Sequence, residues 1–370
     1  MIRRAWSKVV GCNLSAPEWE MARLPVRMGG LGIQDPALTW AGANVAASFR
    51  AWDNSYGVPM GQMSGLLRTA ITELDRIAPA LGSPLKAAWD QNTAAGVLRN
   101  HPLWISWVRQ RAWTEEIHKR NVGLLSVGTA ARQRDLLPLN TVEHGGAWVL
   151  SRPHEVGGIV FSAPEWQTML RFRVGARIQS DSIPCPHCRS PSDGFGDHYL
   201  SCAARGMYRR HNRIRDYSAE MARGMGLKVE TEPHLDPHSL NRADLRVEGL
   251  AGEGQAIEAW DVTVVHPLRL SNASAERAQP GVSAAVAETM KTAGSVATWC
   301  KGNGVKFRPL AFETTGALGK GALAAIKALI SRACLKGGEP RSTVSARVMQ
   351  GLQVVLAKGC AEMLTREAAW

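Results

Sequence analysis

The sequence contains no run of eighteen apolar residues, which is about the length that a membrane-spanning helix needs. Its first eight residues, from Met1 to Lys8, lack the apolar core of a secretion signal. Cysteine is scarce, with seven in 370 residues, and four of the seven lie far apart in the chain. These absences argue against a membrane protein and a disulfide-linked secreted protein, and they predict an intracellular protein in a reducing compartment.

The chain has fewer acidic than basic residues. Lys and Arg number 44 against 32 Asp and Glu, a net charge of +12 that favours a polyanionic partner such as nucleic acid. An apolar content of 45% is ordinary for a globular protein, and 370 residues suffice for two or three domains. Ten of the thirteen tryptophans precede Cys185, which suggests a boundary near Ser180. Hydrophobic periodicity predicts helices over 59–81 and 84–120 and a short strand over 147–152.

Four metal-ligand side chains lie close together in the spacing C-x2-C-x9-H-x3-C. They are Cys185, Cys188, His198 and Cys202. A C-x2-C turn brings two thiolates to one side of a zinc ion, and H-x3-C closes the other side. Because all four positions are filled by protein groups, this zinc is predicted to be structural rather than catalytic. His187 is an alternative ligand inside the first pair.

A basic helix is predicted directly after the last ligand. The segment 203–228 has seven Lys or Arg residues against two acids. Arg205, Arg209 and Arg213 recur every four residues, so they share one helix face and are predicted to bind nucleic-acid phosphates. A solvated surface helix is the alternative interpretation.

Two aspartates lie on a predicted hairpin further along the chain. Strands over 241–248 and 256–265 flank a turn over 251–254, and antiparallel pairing about that turn places Asp244 opposite Asp261. Carboxylates facing each other on neighbouring strands repel, and a divalent cation removes the conflict. Oxygen ligands suit Mg²⁺ or Mn²⁺, so both residues are predicted metal ligands. The prediction depends on register, since a slip of one residue turns Asp261 to the other face.

Short motifs lie at 24–33, 145–150, 172–175, 196–198, 210–216, 261–264 and 313–316. These segments resemble the C-terminal region of reverse transcriptases from non-long-terminal-repeat retrotransposons. In the branch with a restriction-like endonuclease, a Cys-Cys-His-Cys knuckle and then the endonuclease follow the polymerase. The order of motifs in this chain is similar, although the chain lacks a Tyr-x-Asp-Asp or equivalent polymerase motif.

The resemblance implies a site of the PD-(D/E)xK type, in which Asp244 and Asp261 are the paired acids. Two positions depart from that pattern, because Ala243 replaces the proline and Thr263 replaces the lysine. In some relatives the lysine lies on the following helix, which makes Lys291 in the predicted helix 284–296 the candidate. Glu232 is a further candidate contact to metal or water. Glu258 is predicted to face away from Asp261 by strand alternation.

The predicted fold is a multidomain α+β protein with a helical N-terminal half, a small zinc knuckle and an α/β restriction-endonuclease-like core. The expected segments are a polymerase tail without its active site (1–110), a connector (111–180), the knuckle (181–203), the endonuclease (204–335) and a basic C-terminal helix (336–370). We expect a nuclear, retrotransposon-derived enzyme that nicks DNA with Mg²⁺ or Mn²⁺, holds structural zinc, contacts DNA and element RNA, and binds no membrane. The alternatives are a non-catalytic zinc-dependent binding remnant and a scaffold with structural zinc alone.

Overall fold

The structure is a computed structural model. It describes residues 2–54, 65–91, 98–128, 130–151, 160–179, 184–203, 206–235, 242–250, 257–268 and 279–365. Within these residues the fold is mixed and mostly helical, with one four-stranded sheet, in agreement with the predicted α+β class. None of the described helices combines the length and apolarity that a membrane crossing requires. Arg205, the turn at 251–254 and the boundary at 180–181 lie outside the described residues.

The N-terminal half is helical, as predicted. Its helices are α1 (Ile2–Val10), α2 (Ala16–Arg23), α3 (Pro36–Asn54), α4 (Gly65–Ile77), α5 (Pro79–Asp90), α6 (Trp104–Trp107), α7 (Gln110–Val127), α8 (Ala131–Asn140) and α9 (Ala163–Val174). Helices α3 to α7 enclose a core of their own that is built around Phe49, Trp107 and Trp113. Many of the early tryptophans therefore serve packing.

Two local predictions in this half are wrong. A single helix over 84–120 does not form, because α5 ends at Asp90, bends and turns separate the helical residues 98–99 from α6, and α7 begins at Gln110. Pro102 accounts for part of the interruption, since a proline disfavours helical geometry in the residue before it. The predicted strand at 147–152 is a short 3-10 helix, Ala147–Leu150, whose Trp148 packs edge-on against Trp166. A short apolar run does not distinguish a strand from a buried turn.

The C-terminal half contains the sheet. Its elements are α10 (Asp197–Ser201), α11 (Met207–Gly224), β1 (Lys228–Thr231), β2 (Leu245–Glu248), β3 (Ile257–Val265), α12 (Val282–Thr292), α13 (Ser295–Gly302), β4 (Lys306–Glu313), α14 (Lys320–Gly337) and α15 (Arg341–Thr365). The strand order is β1-β2-β3-β4, with β1-β2 and β2-β3 antiparallel and β3-β4 parallel. A parallel pair needs a crossover connection, which here carries α12 and α13.

The two faces of the sheet differ in side-chain size. Trp260, Val262 and Phe312 belong to the main core, together with residues of α11, α14 and α15. The other face presents Ala259 and Ala311 to small clusters that involve α12 and α13. Because alternate residues of a strand point to opposite faces, Asp261 lies on the face of small residues. Small side chains let α12 approach the sheet closely at this aspartate.

The main core crosses the expected domain boundaries. It contains Trp19 and Phe172 from the N-terminal half, Cys185 and Cys202 from the predicted knuckle, and Leu356 from α15, together with the sheet residues. Helix α15 was expected to be a separate basic segment, but it packs against α9, α11 and α14 and buries most of one side. The described parts of 160–365 thus share one core with α1 and α2.

Candidate metal centres and nuclease site

The four predicted zinc ligands converge. Their ligand atoms all lie within 4.8 Å of one another, the one group of this kind that the described residues form. The Sγ atoms of Cys185 and Cys202 are 3.9 Å apart, and Cys188 Sγ lies 3.2 Å from His198 Nε2. Two thiolates at about 2.3 Å from a tetrahedral ion would be about 3.8 Å apart. The cluster therefore suits a metal with the donor preference and geometry of zinc.

Hydrogen bonds of the local backbone arrange these ligands. The Asp193 carboxylate accepts from the backbone amides of Phe195, Asp197 and His198 at 2.8, 3.0 and 2.7 Å, which fixes the start of α10. Hydrogen bonding by Ser190 lowers the pKa of the exposed Cys188 thiol to about 6, so the thiolate that a metal requires is available at neutral pH. The segment is organised to hold its ligands in place.

A buried polar network joins this cluster to the sheet. Arg132 of α8 donates two hydrogen bonds to the Asp197 carboxylate, at 2.6 and 2.9 Å. His266 Nε2 lies 2.9 Å from the same carboxylate, and His266 Nδ1 lies 2.6 Å from Thr314 Oγ1. His266 directly follows β3, and Thr314 directly follows β4. The residue next to the ligand His198 is thus tied to the ends of the two central strands.

The predicted register of the two aspartates is correct. Leu245 pairs with Trp260, so the preceding Asp244 lies opposite Asp261. The two carboxyl groups shift each other's pKa, and Asp244 Oδ2 accepts from the Val262 amide at 2.6 Å. His211 of α11 contributes Nε2 at 3.0 Å from Asp244 Oδ1. A largely buried pair of acids therefore lies at the junction of β2, β3 and α11.

Burial and mutual repulsion separate the pKa values of Asp244 and Asp261. Burial, followed by the interaction with the Asp244 carboxylate, raises the pKa of Asp261 to about 6. Burial also acts to raise the pKa of Asp244, but His211 and the Val262 amide outweigh it and lower that pKa. One proton held between two close carboxyl groups is the expected behaviour of such a pair. A cation placed between them would replace that proton.

Lys291 reaches this pair from α12. Its Nζ lies 2.9 Å from Asp261 Oδ1, and the lysine side chain is 36% exposed while that of Asp261 is 13% exposed. The structure therefore brings together all three residues of the predicted catalytic set. Thr263, two residues after Asp261, is partly buried.

Two carboxylates hold α12 in place. Glu313, fully buried at the end of β4, accepts from the Ala284 amide at 3.1 Å and from the Gly281 and Ser283 amides, which caps the first turn of α12. Glu288 of α12 in turn accepts from the Gly321 amide at 2.8 Å at the start of α14. Helix α12 is thus fixed to both β4 and α14, and Lys291 with it.

Other predicted site residues have different surroundings. Arg209 is exposed on α11, as a phosphate contact requires. Arg213 forms an ion pair with Glu362 of α15, so its guanidinium is engaged within the protein. Glu232 is paired with Arg215. Glu258 faces away from Asp261, as predicted, and is buried in ion pairs with Arg308 and Lys306.

Sequence reasoning missed three contributors to the sites. His211 belongs to the motif of residues 210–216, but nothing in its spacing indicates a contact with Asp244 across 33 positions. Glu313 begins the motif of residues 313–316, and an acid at the end of a buried strand could have suggested a cap. The partnership of Asp197 with His266 joins segments 69 residues apart and carries no local signal.

No protein-family model matches this chain, and no curated protein is significantly similar to it. The case for function therefore depends on the arrangement of its side chains.

Proposed function

We propose that the chain is a metal-dependent DNA endonuclease with a structural zinc site, derived from a non-long-terminal-repeat retrotransposon. The observation that carries the proposal is the cluster of Asp244, Asp261 and Lys291, where a lysine from a neighbouring helix meets two facing acids. Paired carboxylates next to an amine are the groups that hydrolysis of a phosphodiester by a PD-(D/E)xK site uses.

In this proposal Asp244 and Asp261 would hold Mg²⁺ or Mn²⁺, and the chemistry of the bound ion would be to activate water and to neutralise charge on the phosphate. Lys291 turns from Asp261 toward the phosphate and stabilises the negative charge that develops there. His211 and the Val262 amide keep the Asp244 carboxylate oriented. The zinc cluster is structural, Arg209 contacts the DNA backbone, and a nuclear location would give access to the substrate.

A second candidate is a nucleic-acid-binding protein without catalysis. The ion pair of Lys291 with Asp261 favours it, because this contact compensates the buried acid without a divalent cation. The threonine at position 263, where the PD-(D/E)xK pattern has a lysine, also favours this second candidate. Zinc-dependent binding would then be retained without cleavage.

The test uses the full chain, because α15 completes the core around the sheet. Supercoiled plasmid is incubated with zinc-loaded protein, with and without Mg²⁺ or Mn²⁺, beside Asp261→Ala and a control, Glu230→Ala, at an exposed acid of β1. We expect metal-dependent nicking that is lost only in Asp261→Ala. DNA binding without nicking by the folded wild-type protein would favour the second candidate.

A further inference from the structure

One aromatic side chain has an unusual position. Tyr208 is 77% exposed, and it is the one described tryptophan, tyrosine or phenylalanine whose side chain is mostly in solvent. The other described tryptophans, tyrosines and phenylalanines are buried or half-buried. Single exposed apolar side chains are common on protein surfaces, so the case for a ligand here depends on the position of Tyr208 in the fold.

Tyr208 shares a face of α11 with residues that interact with Asp244. Tyr208, His211 and Arg215 are spaced by three and then four residues, so they share one face of the helix. His211 lies 3.0 Å from Asp244, and the charge of Arg215 interacts with the same carboxylate. Tyr208 lies one turn earlier on that face, about 4.5 Å along the helix axis from His211. Tyr208 is thus on the same helix face as the two residues of α11 that interact with Asp244.

We propose that Tyr208 is a binding site for a nucleobase, on which an unpaired base next to the cleaved phosphodiester stacks. A flat ring can cover the face of any base, and the phenol edge tolerates water. The neighbouring Arg209 is exposed and cationic, which suits the phosphate of the same strand. The preferred substrate is then DNA with an unstacked base at the cleavage point, rather than a continuous duplex.

This inference rests on the proposed function, because it takes DNA as the substrate of the acid pair. Its test separates stacking from cleavage. Two labelled duplexes are compared, one fully paired and one with a single unpaired 2-aminopurine, and both are bound in Ca²⁺ in place of Mg²⁺ to suppress hydrolysis. The proteins are the full-length wild type, Tyr208→Phe and Tyr208→Leu. Since the side chain is exposed, both variants are expected to fold, which circular dichroism checks.

We expect the wild type and Tyr208→Phe to prefer the duplex with the unpaired base by about 5- to 150-fold, the range that stacking of one base provides. Both proteins should also quench 2-aminopurine fluorescence, and Tyr208→Leu should lose the preference and the quenching. Equal preference in wild type and Tyr208→Leu, or a Tyr208→Phe variant as weak as Tyr208→Leu, overturns the inference.

Plasmid nicking in Mg²⁺ is measured in parallel on the same three proteins. A stacking preference that depends on the aromatic ring, in a protein that never nicks, supports the nucleobase site and contradicts the proposed hydrolysis. Nicking by a wild type that shows no preference for the unpaired base supports the proposed hydrolysis and contradicts the nucleobase site. A wild type that binds neither duplex overturns both.

Discussion

Lys291 Nζ lies 2.9 Å from Asp261 Oδ1, although the lysine is on α12 and the aspartate is on β3. The contact depends on the parallel pairing of β3 with β4, since Glu313 at the end of β4 caps the first turn of α12. The lysine that contacts Asp261 is thus supplied by a helix that the sheet itself holds.

Replacement of Asp261 by asparagine should stabilise the metal-free protein. The pKa of Asp261 is raised to about 6, so the native state binds more protons than the unfolded state between the ordinary carboxyl value and pH 6. Stability therefore falls as pH rises through this window, and the penalty is complete above it. We expect Asp261→Asn to increase the free energy of unfolding by about 1 kcal/mol at pH 7.5 and to have no such effect near pH 4.

Mg²⁺ supplies the complementary measurement. A cation that binds only the native state raises the Tm of the wild type in proportion to the logarithm of its concentration above its Kd. Asp261→Asn should lose this response, while Glu230→Ala should keep it. An equal rise of Tm in wild type and Asp261→Asn would show that the cation binds elsewhere.

If the proposed mechanism is correct, Lys291→Ala should reduce kcat for nicking by about 100-fold, because it removes the cation assigned there to stabilise negative charge on the phosphate. Affinity for DNA should change little, since one partly exposed lysine contributes a small part of a phosphate interface. Lys306→Ala is a suitable control, because Lys306 pairs with Glu258 on the opposite face of the sheet. The rate of plasmid nicking under single-turnover conditions is measured for both variants. An equal loss of rate in Lys291→Ala and Lys306→Ala would contradict a specific role for Lys291.

Glu313 is expected to act through the position of α12. Burial raises the pKa of Glu313, and its Oε2 has no hydrogen-bond partner among the described residues. Glu313→Gln retains the oxygen that caps α12 and removes a buried charge, so it should leave stability unchanged or slightly higher. Glu313→Ala should cost about 1–2 kcal/mol, as loss of a helix cap does, and should slow nicking. Chemical denaturation combined with nicking assays tests this, and combining Glu313→Ala with Lys291→Ala should slow the reaction no further than Lys291→Ala alone.

Zinc removal should destabilise the sheet as well as the zinc-binding segment. Cys185 and Cys202 belong to the main core, and Asp197 is joined to His266 after β3. We expect Cys188→Ser or a strong chelator to lower the Tm by about 10 °C or more, because metal binding contributes directly to folding. His187→Ala should retain one zinc per chain by metal analysis. Full stability after complete zinc removal would contradict this account.

Arg209 and Arg213 should have separable effects. Arg209 is exposed, so Arg209→Ala should weaken DNA binding and reduce the slope of log affinity against log salt by about one. Arg213 pairs with Glu362, so Arg213→Ala should lower Tm and leave that slope nearly unchanged. Salt titrations of DNA binding measure the difference, and a reversed outcome would transfer the phosphate contact to Arg213.

Local sequence patterns were sufficient for the zinc ligands and for the pairing of Asp244 with Asp261. A short hairpin fixes register by its symmetry about the turn, and ligand spacing reflects the geometry of one ion. Lys291 required the resemblance, since its contact with Asp261 is made across a crossover connection. The roles of Arg213 and of α15 depend on long-range packing, and a basic helix that binds phosphate has the same pattern as one that pairs with Glu362.

The position of α15 affects the order in which the protein can be completed. A ribosome makes the zinc ligands and the residues of the candidate nuclease site well before residues 341–365, yet Leu352, Leu356 and Cys360 of that helix are buried in the core beside the sheet. Until this helix emerges, the apolar side chains that it covers face the solvent or a chaperone. If the proposed nuclease is correct, activity in the nascent chain should therefore begin only after α15 has been synthesised and has packed against the sheet.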